Sequence, residues 1–302
     1  MRAKKVGAVL LAAFCLAASC GTAETGAPVA SGIGETAGTA GATEQVAETA
    51  EEESQLVQQI PLPGSGTMEE TEEAGTGEPL VIRFAGDFCL AEDMAITYAL
   101  DARGDIRECF SEDLLELMQD ADLFMLNNEF TYSNRGTPVE GKDWTFRANP
   151  ERVSVLNTLG VDVAGLANNH AFDWGEDALM DTLDTLQGAG IATVGAGANL
   201  EEASEPFYFT QDGCTIAIVA ATAVEKVGDR EYGMTRAATE DAAGVFSTID
   251  PAACLEAIEE AEANSDFVFV YVHWGTEMTT EIDPEQRELA EAYIEAGADA
   301  VV

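Results

Sequence analysis

Short β-branched runs alternate with amphipathic segments from residue 79 onward, and this alternation constrains the fold more than any other feature. The runs predict strands at 80–86, 122–127, 161–167, 191–194, 206–210, 214–221 and 266–272. Asp212-Gly213 predicts a hairpin between the fifth and sixth of them. The remaining spacing fits helices between strands. We therefore expect an α/β fold, with a largely parallel sheet flanked by helices, in one domain at 79–302.

Local signals mark the helix boundaries. Asn149-Pro150, Asp250-Pro251 and Asp283-Pro284 each place a capping side chain before a proline, a pair typical of a first helical turn. Gly188 and Gly297 suit helix ends.

The first twenty residues are typical of an export signal, because basic residues precede an apolar stretch too short to span a bilayer. The stretch ends in Leu16-Ala17-Ala18-Ser19-Cys20-Gly21, which resembles a bacterial lipoprotein cleavage box with Cys20 as the lipid-bearing residue. We expect a lipid-anchored protein on the extracytoplasmic face of the bacterial cell membrane. The alternative is an ordinary secretory signal with a chance cysteine.

Residues 21–78 are rich in Gly, Ala, Thr, Ser and Glu, and contain no Phe, Trp, Tyr, Lys or Arg. Such a composition buries too little apolar surface to offset the entropy of ordering, so we expect a disordered acidic stalk. The whole chain has a formal net charge of −42, which disfavours binding to nucleic acid.

Four cysteines follow the signal: Cys89, Cys109, Cys214 and Cys254. They form no CxxC pair and no zinc-finger spacing. An exported protein could join them in any of three pairings or keep them as small core residues, and the sequence leaves both open.

Polar clusters follow four of the predicted strands. They are Gly86-Asp87, Asn127-Asn128-Glu129, Asn168-Asn169-His170 and His273. Each has an alternative explanation as a turn cap, a solvated carboxylate or a buried hydrogen-bonded histidine. In open α/β sheets, however, ligands bind at the carboxyl ends of strands, so the joint placement predicts one shared site. His170 and His273 are also the only histidines of the chain.

The residue types suit a hard or borderline divalent metal. Carboxylate, carboxamide and imidazole ligands without thiolate favour Mn²⁺, Fe²⁺, Zn²⁺ or Mg²⁺. Such an ion polarises a phosphoryl or carbonyl oxygen and lowers the pKa of bound water, which makes hydrolysis the natural reaction class.

Several motifs together carry a family resemblance. They are Phe84-Ala85-Gly86-Asp87, Asn127-Asn128-Glu129, Gly136-Thr137-Pro138, Phe146-Arg147-Ala148-Asn149-Pro150, Asn168-Asn169-His170, Gly195-Ala196-Gly197 and His273-Trp274-Gly275-Thr276-Glu277. In this order they resemble the CapA family of poly-gamma-glutamate capsule synthesis proteins, whose fold is similar to calcineurin-like metallophosphatases. The resemblance covers about residues 80–302 and implies a metallophosphatase-like layered fold.

The resemblance also implies residue roles. Metal or polar-site roles fall to Asp87, Glu129, Asn169, His170 and His273. A catalytic role is also expected for His170, supporting or catalytic roles for Asp173 and Glu277, and a supporting, substrate-binding role for Asn127. Two positions depart from the pattern: Asn128 replaces an apolar residue, and Cys89 stands where metallophosphatases often have histidine.

The last residues, Gly297-Ala298-Asp299-Ala300-Val301-Val302, predict the beginning of another strand. Family members would continue into a Gly-His-x-x-His-like segment, so we expect a C-terminally truncated domain that binds metal more weakly than the longer protein. The alternative is a genuinely shortened, inactive homologue.

Two functions compete at this point. One is a metal-dependent hydrolase or transferase acting on a phosphate, ester or amide. The other is a non-catalytic lipoprotein that binds an anionic cell-surface polymer, with capsule-synthesis membrane proteins as expected partners. Arg135, Lys142 and Arg147 form a basic stretch suited to anionic substrate. The alternative is that Arg147 and Arg152 pair with neighbouring acids such as Asp143 and Glu151.

The lipid anchor gives the first prediction. Cys20→Ser should block lipid modification and release the full chain from membranes, because one thioether-linked diacylglycerol is the expected tether. Detergent phase partition of the wild-type and variant chains measures this. Equal partition of the two into the detergent phase would contradict the assignment.

Overall fold

The computed structural model describes residues 79–223, 235–248 and 250–302, together with the backbone of Ala13–Phe14. The predicted signal cleavage site, Cys20 and the stalk at 21–78 lie outside the described residues. These described residues contain thirteen strands: β1 (Ala13–Phe14), β2 (Ile82–Phe88), β3 (Leu123–Asn128), β4 (Thr131–Tyr132), β5 (Arg147–Ala148), β6 (Val163–Gly165), β7 (Ala192–Val194), β8 (Ala196–Gly197), β9 (Phe207–Gln211), β10 (Cys214–Thr222), β11 (Gly244–Val245), β12 (Phe267–His273) and β13 (Ala300–Val301).

In the part of the chain that the structure describes, seven α-helices connect these strands: α1 (Ala95–Arg103), α2 (Glu112–Gln119), α3 (Ser154–Leu159), α4 (Glu176–Gly188), α5 (Leu200–Ser204), α6 (Pro251–Asn264) and α7 (Pro284–Ala296). The three predicted Pro starts are confirmed. Asn149 caps a 3-10 turn at Pro150–Val153 that runs into α3, Asp250 accepts from the backbone N–H of Ala252, and Asp283 forms a capping box at α7.

The longer strands form two sheets. The first, in the order β1-β2-β3-β6-β7, is parallel throughout. The second, in the order β13-β12-β10-β9, is parallel except for the β9–β10 hairpin. The predicted hairpin turn is confirmed, with Asp212 and Gly213 at φ values of 50° and 80°.

The two sheets pack face to face. Successive side chains of a strand point to opposite faces, and these strands carry apolar residues on both. Between the sheets, Ile82, Phe84 and Met125 of the first contact Phe269 and Tyr271 of the second. Phe84 and Phe269 have ring centroids 5.4 Å apart, and the Tyr271 hydroxyl donates to the carbonyl of Ala85 at 2.6 Å. The alternate residues face helices, so the domain has helix, sheet, sheet and helix layers.

The predicted α/β class with a largely parallel sheet is confirmed, and all seven predicted strands are present. The structure adds that the strands belong to two sheets rather than one. The predicted strand at 161–167 is reduced to Val163–Gly165. The apolar run near residue 300 does form a strand, β13, paired with β12.

The four cysteines that follow the signal are all free thiols, so none of the three pairings is present. Cys254 is buried against the carbonyl of Ser247, and Cys89 lies beside the Met94 sulfur at 3.7 Å. Among the described residues, no helix is long and apolar enough to cross a membrane.

Gly195 lies where the two sheets approach each other. Its φ is +87°, and a Cβ at this position would lie 2.6 Å from the Ala167 Cβ and 2.9 Å from the Ala220 carbonyl oxygen. Its own carbonyl accepts from the Phe246 N–H at 2.8 Å. The position therefore requires glycine for its backbone conformation and for the close approach.

Gly195→Ala should lower the free energy of unfolding by about 2–4 kcal/mol, the sum of a left-handed backbone cost and overpacking. Gly190→Ala is the matched control, because Gly190 has a similar φ of +78° and open space around its Cβ direction. That control should lose only the backbone cost, about 1–2 kcal/mol. Urea unfolding of both variants measures the difference, and equal losses would contradict the packing argument.

Candidate functional site

The candidate site lies at the carboxyl ends of strands from both sheets. Asp87 is in β2 and pairs in register with Asn127 of β3, while Glu129 follows β3 directly. Asn169 and His170 follow β6 by a short turn, and His273 ends β12. Sequence-distant polar residues are thereby brought into one cluster.

His273 lies between two carboxylates and an amide. Its Nδ1 is 3.4 Å from Asp87 Oδ1, and its Nε2 is 2.8 Å from Asn169 Oδ1 and 3.8 Å from Glu129 Oε1. Burial lowers the pKa of His273, but the hydrogen bond and charge of Asp87 and the charge of Glu129 outweigh it, so the net pKa is raised. Nε2 donates to Asn169 Oδ1, because an amide oxygen only accepts, whereas Nδ1 lies 3.2 Å from the donor Asn127 Nδ2 as well as beside Asp87.

Asp87 is about half exposed and is held by neighbours on both sides. Burial raises its pKa, while the hydrogen bond with His273 and that from Asn127 Nδ2, at 2.7 Å, bring the net pKa below its ordinary value. Asp87 is therefore an ionised carboxylate at neutral pH.

His170 is held by a buried carboxylate. Its Nδ1 lies 2.7 Å from Asp173 Oδ2, and its Nε2 lies 3.9 Å from Glu129 Oε1. The ring stacks on Phe146 with centroids 4.1 Å apart. Burial lowers the pKa of His170 despite the bond to Asp173. A neutral ring with Nδ1–H bonded to Asp173 leaves Nε2 as an acceptor towards Glu129.

Glu129 lies between the two histidines and is 17% exposed at its side chain. Burial, and after it the charge of Asp87, raises its pKa to about 7. This carboxyl group therefore changes protonation state near neutral pH, where a metal cation or a proton would relieve its charge.

Amide side chains tie the strand ends together. Asn168 Nδ2 donates to Asn127 Oδ1 at 2.9 Å and to the Asn128 carbonyl at 3.0 Å, and its Oδ1 accepts from the His170 N–H at 3.0 Å. Asn168 has no separate role among the predicted site residues. Its fully buried position beside the asparagine pair of β3 is a signal that periodicity does not carry.

A strap, residues 133–147, crosses over the segment that carries His170. The Val139 N–H donates to the Asp173 carbonyl at 2.9 Å, and the Phe146 N–H donates to Asp173 Oδ2 at 2.5 Å. A Cβ on Gly136 would lie 2.1 Å from the Trp174 carbonyl oxygen. The strap therefore fits this segment only with glycine at 136.

The basic residues of the strap have different environments. Lys142 is 5% exposed, and its ammonium donates to Asp173 and to the carbonyl of Asn169. Arg147 stacks on Trp174, with its guanidinium carbon 3.7 Å from the ring centroid. Of the expected substrate-binding cations, Lys142 is thus buried inside the cluster, and Arg147 lies beside it.

Arg135 is not brought into the cluster. It pairs with Asp181 at 2.6 Å and Asp177 at 3.0 Å, two carboxylates one turn apart on α4. Arg152 pairs with Asp101 at 2.8 Å rather than with Glu151, because α1 presents Asp101 to it. The alternative pairing of Arg147 with Asp143 is likewise absent from the described contacts, and the aromatic face of Trp174 takes its place.

Glu277 lies in the exposed turn after His273 and makes no described hydrogen bond to the cluster. Its charge is among those that raise the pKa of His273. The catalytic roles given to Glu277, His170 and Asp173 stay predictions.

The cluster contains the donor types that a divalent metal ion prefers. Within the described ranges, no group of three His, Cys, Asp or Glu residues is arranged to hold one. The donor types suit such an ion, and Glu129 Oε1 lies within 4 Å of both His170 Nε2 and His273 Nε2. An ion with ligand distances of about 2.0–2.2 Å keeps its donors within about 4.4 Å of each other. The hydrogen bond from His273 Nε2 to Asn169 would have to be exchanged for a metal bond.

Comparisons with known proteins point to one family. The family model described as bacterial capsule synthesis protein PGA_cap matches residues 81–302. The chain is 34% identical over 176 residues to the PGA biosynthesis protein CapA of Bacillus subtilis (strain 168), covering 58% of this chain and 44% of that protein. It is 32% identical over 193 residues to the capsule biosynthesis protein CapA of Bacillus anthracis, covering 59% and 45%. The chain therefore spans about half the length of these curated relatives.

A similar solved structure is a putative 5'-nucleotidase from Staphylococcus aureus. The match has 14% sequence identity and a TM-score of 0.36, and it covers 73% of this chain and 35% of that one. This likeness is too low to carry an argument about the site.

The raised pKa of Glu129 predicts a pH-dependent stability. Unfolded, this carboxyl group titrates near 4.5, and in the metal-free fold near 7, so the folded chain binds more protons between these values and loses stability as pH rises through them. At about 1.4 kcal/mol per pKa unit, the loss is on the order of 3 kcal/mol. Glu129→Gln should remove it, so the variant gains relative to wild type as pH rises from 5 to 8.

Urea unfolding at pH 5 and pH 8 in a chelator checks this. Glu140→Gln is the control, because Glu140 is exposed on the strap. A pH-independent difference between Glu129→Gln and wild type would show that Glu129 titrates alike in both states.

Proposed function

The chain belongs to the PGA_cap family of bacterial capsule synthesis proteins, and from this premise we propose that its site carries out metal-assisted hydrolysis or transfer on an anionic cell-surface polymer. The observation that supports this most is the convergence of two histidines on one carboxylate. His170 Nε2 and His273 Nε2 both lie within 4 Å of Glu129 Oε1. The bond attacked would be a phosphate ester, an ester or an amide.

Glu129, His170 and His273 would hold the ion, with Asn169 and Asp87 beside them. The divalent metal, one of Mn²⁺, Fe²⁺, Zn²⁺ or Mg²⁺, would supply Lewis acidity and a nucleophilic water near neutral pH. Orienting the metal ligands would be the role of neighbouring protein side chains. Asp173 orients His170 from its Nδ1 side.

Anion recognition is proposed for Arg147. Its guanidinium stacks on Trp174 at 3.7 Å, and among the described residues no carboxylate lies within ion-pairing distance of it. The backbone N–H of the preceding residue, Phe146, donates to Asp173 at the edge of the cluster. A chain of net charge −42 repels an anionic polymer, so binding requires a local cation of this kind. The fork of arginine suits the carboxylate or phosphate of such a polymer.

The proposed location is the extracytoplasmic face of the cell membrane, with the lipid on Cys20 as the anchor and capsule-synthesis membrane proteins as partners. The family description supports a role in the cell envelope, and the acidic surface argues against nucleic acid as a partner.

A second candidate is a lipoprotein that binds the anionic polymer without turnover. The observation that favours it is the state of His273, whose two ring nitrogens already face Asp87 and Asn169. In that arrangement His273 acts as a hydrogen-bond donor rather than as a metal ligand.

Metal titration tests the proposed function. Calorimetry with Mn²⁺ and Zn²⁺ on the 302-residue chain should give one site, and His170→Ala or His273→Ala should weaken it at least about tenfold, because each removes a nitrogen donor. Arg135→Ala is the control, because Arg135 lies outside the cluster. This variant should bind the metal with the affinity of the wild type. Circular dichroism confirms that each variant is folded.

Turnover is then measured with the metal-loaded chain on bis(p-nitrophenyl) phosphate and on poly-gamma-glutamate. Equal metal affinity in wild type and both histidine variants would contradict the assignment of these histidines as metal ligands. Binding of the polymer without turnover, weakened by Arg147→Ala, would establish the second candidate instead.

A further inference from the structure

Lys142 touches the immediate neighbours of both histidines. Its ammonium donates to Asp173, whose other oxygen lies 2.7 Å from His170 Nδ1. It also donates to the backbone carbonyl of Asn169, whose side-chain oxygen lies 2.8 Å from His273 Nε2. The side chain is 5% exposed, so its charge acts within the protein.

Asp173 has no exposed side-chain surface. A buried carboxylate without a cation costs several kcal/mol, and the ammonium of Lys142 is the cation that contacts Asp173. An ionised carboxylate can only accept hydrogen bonds, and His170 must therefore present a proton at Nδ1. Nε2 is then the unprotonated nitrogen, on the side of Glu129.

We propose that Lys142 is a positioning residue, which acts through Asp173 to hold His170 as the Nδ1–H tautomer with Nε2 free to bind a cation or accept a proton. Its consequence for turnover rests on the proposed function, whereas the tautomer does not. This role differs from the substrate contact that the basic stretch suggested.

A purely structural role for Lys142 is the competing explanation. The strap, however, has further anchors: the Val139 N–H bonds the Asp173 carbonyl, the Phe146 N–H bonds its carboxylate, and Gly136 packs on the Trp174 carbonyl. These contacts do not involve the Lys142 side chain. A substitution of Lys142 should therefore leave the strap in place and change the state of His170.

The chain has only two histidines, which makes ¹⁵N NMR of the imidazole nitrogens decisive. His170→Gln and His273→Gln assign the signals of the metal-free 302-residue chain. In wild type, His170 should show a protonated Nδ1 and an unprotonated Nε2. Lys142→Met should lose this single-tautomer pattern, and Lys142→Arg, which keeps the cation, should restore it at least in part.

Trp144→Met is the matched control, because Trp144 lies on the same strap and is 64% exposed. It should leave the His170 pattern unchanged. A cooperatively folded Lys142→Met protein with the wild-type pattern would overturn the proposal, and so would a wild-type chain in which His170 carries its proton on Nε2.

If Lys142→Met does not fold, ¹⁵N-lysine labelling of the wild-type chain tests the contact between Lys142 and Asp173 instead. A buried, hydrogen-bonded ammonium exchanges its protons slowly, so Lys142 should give an Nζ–H signal that Asp173→Asn removes. Absence of that signal in wild type would overturn the proposal. Since neither measurement uses metal or substrate, a failed metal titration would remove the proposed function and leave this inference standing.

Discussion

The buried carboxylate of Asp173 is the interaction on which the rest of the site depends. It has no exposed surface and accepts from Lys142, from the Phe146 N–H and from His170 Nδ1. Each contact has a different effect. The ammonium of Lys142 balances the charge, the Phe146 N–H fixes the strap, and the imidazole of His170 is oriented by its bond to the carboxylate. Removing the carboxylate would leave all three without their partner, and so the strap and the site histidine share one point of attachment.

The two-sheet packing determines which side chains can meet. Strands β2, β3 and β6 belong to one sheet and β12 to the other, yet their carboxyl ends lie on the same side of the domain. The Tyr271 hydroxyl bonds the Ala85 carbonyl across the interface, two residues before His273 on one strand and two before Asp87 on the other. Apolar packing between the sheets therefore aligns the polar residues that follow it.

Much of this architecture could be predicted from sequence because it depends on local chemistry. Alternation of apolar residues predicts strands, and Asp or Asn before Pro predicts helix starts, since both effects act within a few residues. Placing Asp87, Glu129, His170 and His273 together needed only the rule that ligands bind at carboxyl strand ends. The division into two sheets was not accessible, because a strand with two apolar faces packs equally well against helices or another sheet. The burial of Lys142 and the pairing of Arg135 with α4 depend on tertiary approach, which spacing along the chain does not encode.

The charge balance of the cluster explains why a protein with so few cations concentrates them here. Asp87, Glu129 and Asp173 lie close together, and the effect is visible in Glu129, whose pKa rises to about 7 through burial and the charge of Asp87. Lys142 compensates the charge of Asp173, the neighbouring carboxylates raise the pKa of His273, and a proton or a divalent ion is left to compensate Glu129. Under the proposed function, protons and metal would compete for Glu129, so metal affinity would fall as pH drops through 7. The same competition would make a bound metal stabilise the fold most at alkaline pH, where the unloaded cluster carries its full negative charge.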